Sequence, residues 1–217
     1  MILVNTLSNN NNKIILIVAH PDDETIFCGG TMLLYPNCQW TVACLTEGDG
    51  NATQEEFNAA ISKFKNLGVN IKSHWLGQKK FKKIEKEMSE EKKTIIESEN
   101  NALRLDWQAE IEQCNFVSDI VLTHNERGEY GHTDHKELHL IVKSLFSNVW
   151  EFFYPKHNEN KITYKKRENI VLNDKIFKIK KDIIYNIYYK SQADNLKGLP
   201  DLCDYYLNKG PEIFISN

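Results

Sequence analysis

A continuous apolar run, Ile14-Ile15-Leu16-Ile17-Val18-Ala19, lies close to the start of this chain. A strand with one wet face alternates apolar and polar residues. This run does not alternate, so both of its faces must be covered, as in a parallel sheet with helices above and below. Trp40 to Leu45 and Ile120-Val121-Leu122-Thr123 repeat the pattern, and Ser73-His74-Trp75-Leu76 is a shorter version. Helical patterns separate them. One runs from about Glu24 to Tyr35 and stops at Pro36-Asn37. Another, from about Thr53 to Leu67, carries Phe57, Ala60, Ile61, Phe64 and Leu67 at 3, 4 spacing, and Gly68 closes it. Further on, helices are predicted over Leu103 to Phe116 and His132 to Phe146, strands over Val149 to Tyr154 and Ile170 to Leu172, and a late amphipathic helix over Ile176 to Ile187. This order predicts an α/β fold, a three-layer Rossmann-like domain with a mostly parallel sheet. At 217 residues the chain is read as one domain, 1–217, with its motifs in 1–150 and completing strands and helices in 151–217.

Residues 79–99 differ from the rest, with seven lysines, six glutamates and few apolar positions. They read as a solvated loop or exposed helix, with a mobile flap over an active site as the lesser alternative.

A net charge of −3, with only three arginines (Arg104, Arg127 and Arg167), argues against nucleic acid as a partner and makes bidentate phosphate clamps scarce. No apolar run approaches the roughly 18–20 residues needed to span a bilayer, and the first residues lack the charged and apolar regions of a signal peptide. Five cysteines, an odd number without a Cys-x-x-Cys pair, read as reduced thiols in a cytoplasmic protein. Oligomeric state is left open.

Open α/β sheets bind ligands beyond the carboxyl ends of their strands. There the first strand runs into His20-Pro21-Asp22-Asp23-Glu24. The fourth runs into His124-Asn125, and its loop continues to Gly131-His132-Thr133-Asp134-His135. Two clusters of imidazole and carboxylate at one sheet edge suit a metal site. The acids could instead complement the dipole of the following helix. His135 and His139, at i, i+4, form a competing pair, but Lys136 stands where the zincin pattern needs Glu, and His139 is read as an ordinary helix residue.

Ala-His-Pro-Asp-Asp-Glu at 19–24 and Thr-His-Asn-x-x-Gly-Glu-Tyr-Gly-His-x-Asp-His at 123–135 resemble the LmbE/PIG-L superfamily of zinc-dependent N-deacetylases. The resemblance implies one Zn2+ per chain held by His20, Asp23 and His135. It further implies Asp22 as general base and His132 as the group facing the developing oxyanion. Three protein ligands leave an open position for water, and adjacent Asp22 and Asp23 cannot both point the same way. Asp134 is expected to hold an imidazole in its working orientation. His124, Asn125, Arg127, Glu129 and Tyr130 are expected on a rim that binds substrate, with Arg127 suited to a carboxylate or phosphate. Relatives acting on pseudodisaccharide thiol precursors or phosphatidylinositol-linked glucosamine often have an arginine opening the helix after strand two; Asn51 to Glu56 has none.

The expected function is hydrolysis of the acetamide of an N-acetylated amino sugar, or of a nucleotide- or glycan-linked derivative. The alternatives are a non-catalytic sugar-binding domain and a nucleotide-binding enzyme. Against the second, no Gly-x-Gly-x-x-Gly follows strand one, and Cys28-Gly29-Gly30 falls inside a helical pattern.

Overall fold

The computed structural model describes residues 3–47, 53–188 and 200–216. Among these residues seven strands form one sheet: β1 (Lys13–Val18), β2 (Gln39–Thr46), β3 (Ile71–Gln78), β4 (Ile120–Thr123), β5 (Val149–Phe152), β6 (Lys166–Ile170) and β7 (Glu212–Ser216). Their order is β3-β2-β1-β4-β5-β7-β6. The first five pair in parallel, whereas β7 runs antiparallel to both β5 and β6. The protein is thus α/β with a mostly parallel sheet.

Both faces of β1 are buried, as its unbroken apolar run requires. Ile14, Leu16 and Val18 join a core on one face with Phe27 of α2 (Asp23–Leu34), Phe57 and Phe64 of α3 (Gln54–Asn66) and Ile176 and Ile183 of α8 (Asp174–Ile183). Ile15, Ile17 and Ala19 join a second core with Trp107 and Ile111 of α4 (Glu90–Gln113) and Leu138, Ile141 and Val142 of α6 (Thr133–Leu145). Shorter elements are α1 (Leu3–Leu7), α5 (Gly128–Gly131), α7 (Pro155–Asn158), α9 (Pro200–Asp204) and π-helical turns at Ile184–Tyr188 and Tyr205–Lys209.

Local chemistry explains the boundaries. Thr53 and Glu56 form a reciprocal capping box: Thr53 Oγ1 accepts from the Glu56 amide at 3.2 Å, and Glu56 Oε2 from the Thr53 amide at 3.0 Å. Gly68, at φ +91°, ends that segment in a conformation few other residues adopt. Gly30 of α2 has a packing reason: a Cβ there would lie 2.5 Å from the Leu172 methyls.

Several boundaries differ from expectation. The helix read from Leu103 begins at Glu90, because Ser89 Oγ accepts from the Lys92 amide and Glu90 and Glu91 occupy the first turn. The second part of the charged stretch is therefore helix, and the first part, 79–89, is irregular. The strand read at Ile170 to Leu172 lies earlier, at Lys166–Ile170, where its amides pair with β7. The strand at Val149 stops at Phe152, and Tyr154 becomes the N-cap of α7. Neither α1 nor β7 was expected. The residues 48–52 of the loop after β2 lie outside the described residues.

Candidate metal centre

The strand order reverses at β1: β2 and β3 lie to one side, β4 and β5 to the other. A crevice opens at such a switch point, beyond the carboxyl ends of the two adjacent strands. Those ends deliver His20 and His124.

After β1 the chain makes a tight corner. Ala19 O accepts from the Thr46 amide and hydroxyl, at 2.9 and 2.8 Å, which ties the corner to β2. Asp22 then takes φ 105°, a left-handed conformation that is strained for a residue with a Cβ. Its carbonyl accepts from the amides of Thr25 and Ile26, both at 2.9 Å, so the strained residue starts α2. The buried Glu24 holds it there, with Oε2 accepting from the Asp22 amide at 3.0 Å and Oε1 from the hydroxyls of Thr25 and Tyr188. Burial pushes the Glu24 carboxyl up to about 7. Sequence reading missed this role, whose partner Tyr188 is 164 residues away.

Three donor atoms converge beside this corner. His20 Nδ1 lies 3.1 Å from His135 Nε2, and Asp23 Oδ2 lies 3.4 Å from the first and 3.3 Å from the second. An edge of about 3.4 Å is that of a tetrahedron with bonds of about 2.1 Å, the ordinary range for zinc with histidine and carboxylate. The far nitrogens are committed to carboxylates: His20 Nε2 to Asp134 Oδ2 at 2.9 Å, and His135 Nδ1 to Glu129 Oε2 at 2.6 Å. A proton on each far nitrogen leaves two lone pairs and one carboxylate oxygen facing each other, an arrangement that a cation satisfies. A proton serves as a lesser substitute. Burial disfavours charge on His20, yet Asp134 and Asp23 raise it to about 9.

Two overlapping donor triads fall within 4.8 Å in the described residues: His20, His132 and His135, and Asp23, His124 and His135. His124 is engaged elsewhere, since its Nε2 accepts from the Ala19 amide at 3.1 Å and its Nδ1 faces Glu129 Oε2 at 2.8 Å. His132, half-buried, stands edge-on to His20 with ring centres 4.5 Å apart. Its Nδ1 accepts from the Asp134 amide at 3.3 Å, which leaves the proton on Nε2. The fit of the donor set therefore favours His20, Asp23 and His135. The competing pair does not form: His139 Nδ1 is 3.1 Å from His124 O, a contact in which only the ring can donate. His139 is a residue of α6 outside the donor set, as read, and its ring supports the His124 carbonyl.

The rim expectation needs correction for three residues. His124, Asn125 and Glu129 have no exposed surface and cannot meet a substrate. Glu129, held at φ 52°, accepts from His124, His135 and the Asn125 amide; burial opposes its charge, but His124 and His135 keep the carboxyl at about 2. Asn125 donates to Phe152 O and Asn158 Oδ1, while Asn158 donates to Glu129 O, closing the network onto α7. Asn158 gave no signal in the sequence. Arg127 is exposed and reaches Lys161 O at 3.3 Å, and Tyr130 lies half-buried with its ring 5.5 Å from that of His135.

A doubly wound α/β sheet with a buried His₂Asp donor set at its switch point defines a class of metal-site proteins, and the comparisons narrow it. The family described as "PIG-L: GlcNAc-PI de-N-acetylase" matches residues 15–146, and the chain belongs to that family. It is 28% identical over 149 residues to uncharacterized protein L374 of Acanthamoeba polyphaga mimivirus, covering 67% of this chain and 64% of the relative. The chain thus spans under two thirds of the length of that curated relative. Its fold is similar to a deacetylase of the teicoplanin biosynthesis pathway (TM-score 0.61, 14% identity, 94% of this chain and 96% of that one). It is likewise similar to N,N'-diacetylchitobiose deacetylase from Pyrococcus horikoshii (TM-score 0.60, 16% identity, 99% and 86%). No helix of the described residues is long and apolar enough to cross a membrane.

Proposed function

We propose that this chain is a zinc-dependent N-deacetylase, one domain over 1–217, acting on an N-acetylated amino sugar or a nucleotide- or glycan-linked derivative. The observation that carries the reading is the convergence of His20 Nδ1, Asp23 Oδ2 and His135 Nε2, at 3.1–3.4 Å, with both far nitrogens tied to carboxylates. Family membership and the shared fold support it. His20, Asp23 and His135 would hold the zinc, which would supply Lewis acidity toward the amide carbonyl and lower the pKa of water toward about 7.

The remaining work falls to the chain. Asp22, more exposed than its neighbour Asp23, takes the proton of the attacking water on its carboxylate. The strain at Asp22 and the clamp from Glu24 keep its backbone out of the helix, so that it is not a second copy of Asp23. His132 presents Nε2–H to the carbonyl oxygen as negative charge develops there, and Asp22 passes the proton it took from the water on to the departing amine. Asp134 and Glu129 hold His20 and His135 with their lone pairs directed at one point. Tyr130 and Arg127 remain as groups for substrate recognition.

The test is acetate release from N-acetylglucosamine, its phosphate, its nucleotide conjugate and a chito-oligosaccharide, before and after chelation and after zinc is restored. Chelator-sensitive release from at least one of them is expected. Sugar binding without release in the zinc-loaded protein would identify a non-catalytic sugar-binding domain instead. If Arg127 meets an anionic group, Arg127→Ala raises KM about tenfold for the anionic substrates, about 1.4 kcal/mol, and much less for the neutral ones. An equal response would leave Arg127 a solvated residue.

A further inference from the structure

The charged stretch after β3 is not simply solvated. Phe81 is buried, and its ring meets Trp107 of α4 edge-on with centres 4.7 Å apart. The main chain on either side is held by α4: Trp107 Nε1 donates to Lys79 O at 3.0 Å. Asn100 Oδ1 accepts from the Lys82 amide and Asn100 Nδ2 donates to Lys82 O, both at 2.9 Å. Between these fastenings the Phe81 amide donates to Asp134 Oδ1 at 2.9 Å, while Asp134 Oδ2 faces His20 Nε2 at 2.9 Å.

We propose that Lys79–Lys82, clamped by Asn100 and Trp107, is a positioning element that sets the aim of His20 at the metal centre through Asp134. This inference rests on the metal centre proposed above. A carboxylate turns about its last torsion in a broad, two-fold well, so one hydrogen bond to His20 does not fix its plane. The Phe81 amide supplies the second point. With Oδ1 pinned, Oδ2 has one place, and the His20 ring bonded to it has one orientation. Outer partners of metal-bound imidazoles typically change metal affinity by about 10–100-fold. Here the outermost partner is a main-chain amide, which most substitutions at Phe81 leave in place, so the clamp on α4 is where the effect can be read. Asn100 and Trp107 are positioning residues: neither reaches the donor atoms.

The experiment is zinc affinity by competition with a chromophoric chelator, together with the visible spectrum of the Co2+-substituted protein and the thermal midpoint of the metal-free protein. Asn100→Ala removes both bonds to Lys82, and Trp107→Phe removes the bond to Lys79 while keeping a ring against Phe81. Each is expected to weaken zinc about tenfold and shift the Co2+ bands. Asn100→Asp, which keeps the acceptor for the Lys82 amide, falls between. Ile111→Val, a trimmed core residue of the same helix, should lower the thermal midpoint and leave zinc affinity and the Co2+ spectrum unchanged. The proposal is overturned if Asn100→Ala and Trp107→Phe bind zinc like the unaltered protein, or weaken it no more than Ile111→Val does. Should Asn100→Ala not fold, Trp107→Phe and Asn100→Asp decide. If the unaltered protein binds no zinc that Asp23→Ala abolishes, the reading of the metal centre fails, which is a separate outcome.

Discussion

Two of the regions in which this molecule buries charged groups are built on opposite plans. On the flank of α2, Lys180 Nζ donates to Ile26 O at 2.9 Å and Glu212 Oε1 at 2.5 Å. Glu212 also accepts from the amides of Gly30 and Thr31 and the Thr31 hydroxyl, at 2.8, 2.7 and 2.6 Å. Donors and acceptors are matched inside the fold, and nothing from outside is needed. At the β1–β4 edge, Asp134 and Glu129 are equally well matched on their outer sides, yet His20, Asp23 and His135 turn acceptors toward one another. A closed set of buried charges joins elements of the fold; an open set has the donor chemistry that suits a cation. Both are buried, so burial alone does not distinguish them. The direction of lone pairs does.

The contrast predicts the largest effects at the open set. Asp23→Ala should abolish zinc binding, since it removes a ligand. Asp22→Ala should keep zinc and lower kcat by about 10²–10⁴-fold, the usual contribution of a positioned proton acceptor. Zinc content by elemental analysis beside acetate release separates them, and equal zinc loss in both would merge the two roles. At the closed set, Lys180→Met leaves Glu212 buried without its cation and should cost about 3–5 kcal/mol in urea unfolding. Zinc affinity of the folded protein should not change. A parallel loss of zinc would show that the two sets are coupled through α2.

Glu151 offers a smaller test of a set that is neither closed nor open. It is buried, Oε1 meets Lys143 Nζ at 3.2 Å, and Oε2 has no hydrogen-bond partner among the described residues. Burial raises its carboxyl from 4.5 to about 7. Between those values the unfolded chain releases a proton that the folded protein keeps, so stability falls as pH rises through the window and is lowest above it. Glu151→Gln should therefore stabilise at about pH 8, by up to about 3 kcal/mol, relative to its effect at about pH 4. Urea unfolding at the two pH values reads the difference; an identical effect at both would mean that Glu151 titrates as an exposed carboxyl does.

The parallel core was legible because Ile14 to Ala19, Trp40 to Leu45 and Ile120 to Thr123 have no polar side to misplace. The donor residues were legible as motifs because His20 and Asp23 follow directly on β1, and His135 ends the loop that leaves β4. What was hidden depends on partners distant in sequence. Glu24 needs Tyr188, and the Phe81 amide needs Asp134. His124, Asn125 and Glu129 were placed on a rim because loops at strand ends usually face solvent, whereas Asn158 and Phe152 O draw this one inward. The start of α4 was hidden by its charge, although Ser89 followed by Glu90 and Glu91 carried a legible cap. β7 was missed because Ile213-Phe214-Ile215 is short and follows a long segment without a motif.

That last strand has a consequence for the order in which the protein can be assembled. Among the described strands β6 pairs only with β7, and β7 sits between it and β5. A chain emerging from the ribosome at about 5–20 residues per second has the whole β3-β2-β1-β4-β5 block available for some seconds before Glu212–Ser216 appears. During that interval β6 has no neighbour, the outer edge of β5 stands bare, and Lys180 waits beside α2 without its carboxylate. The nascent protein can gather its donor residues early and still carry an open seam, which the arrival of one five-residue strand seals at three points together.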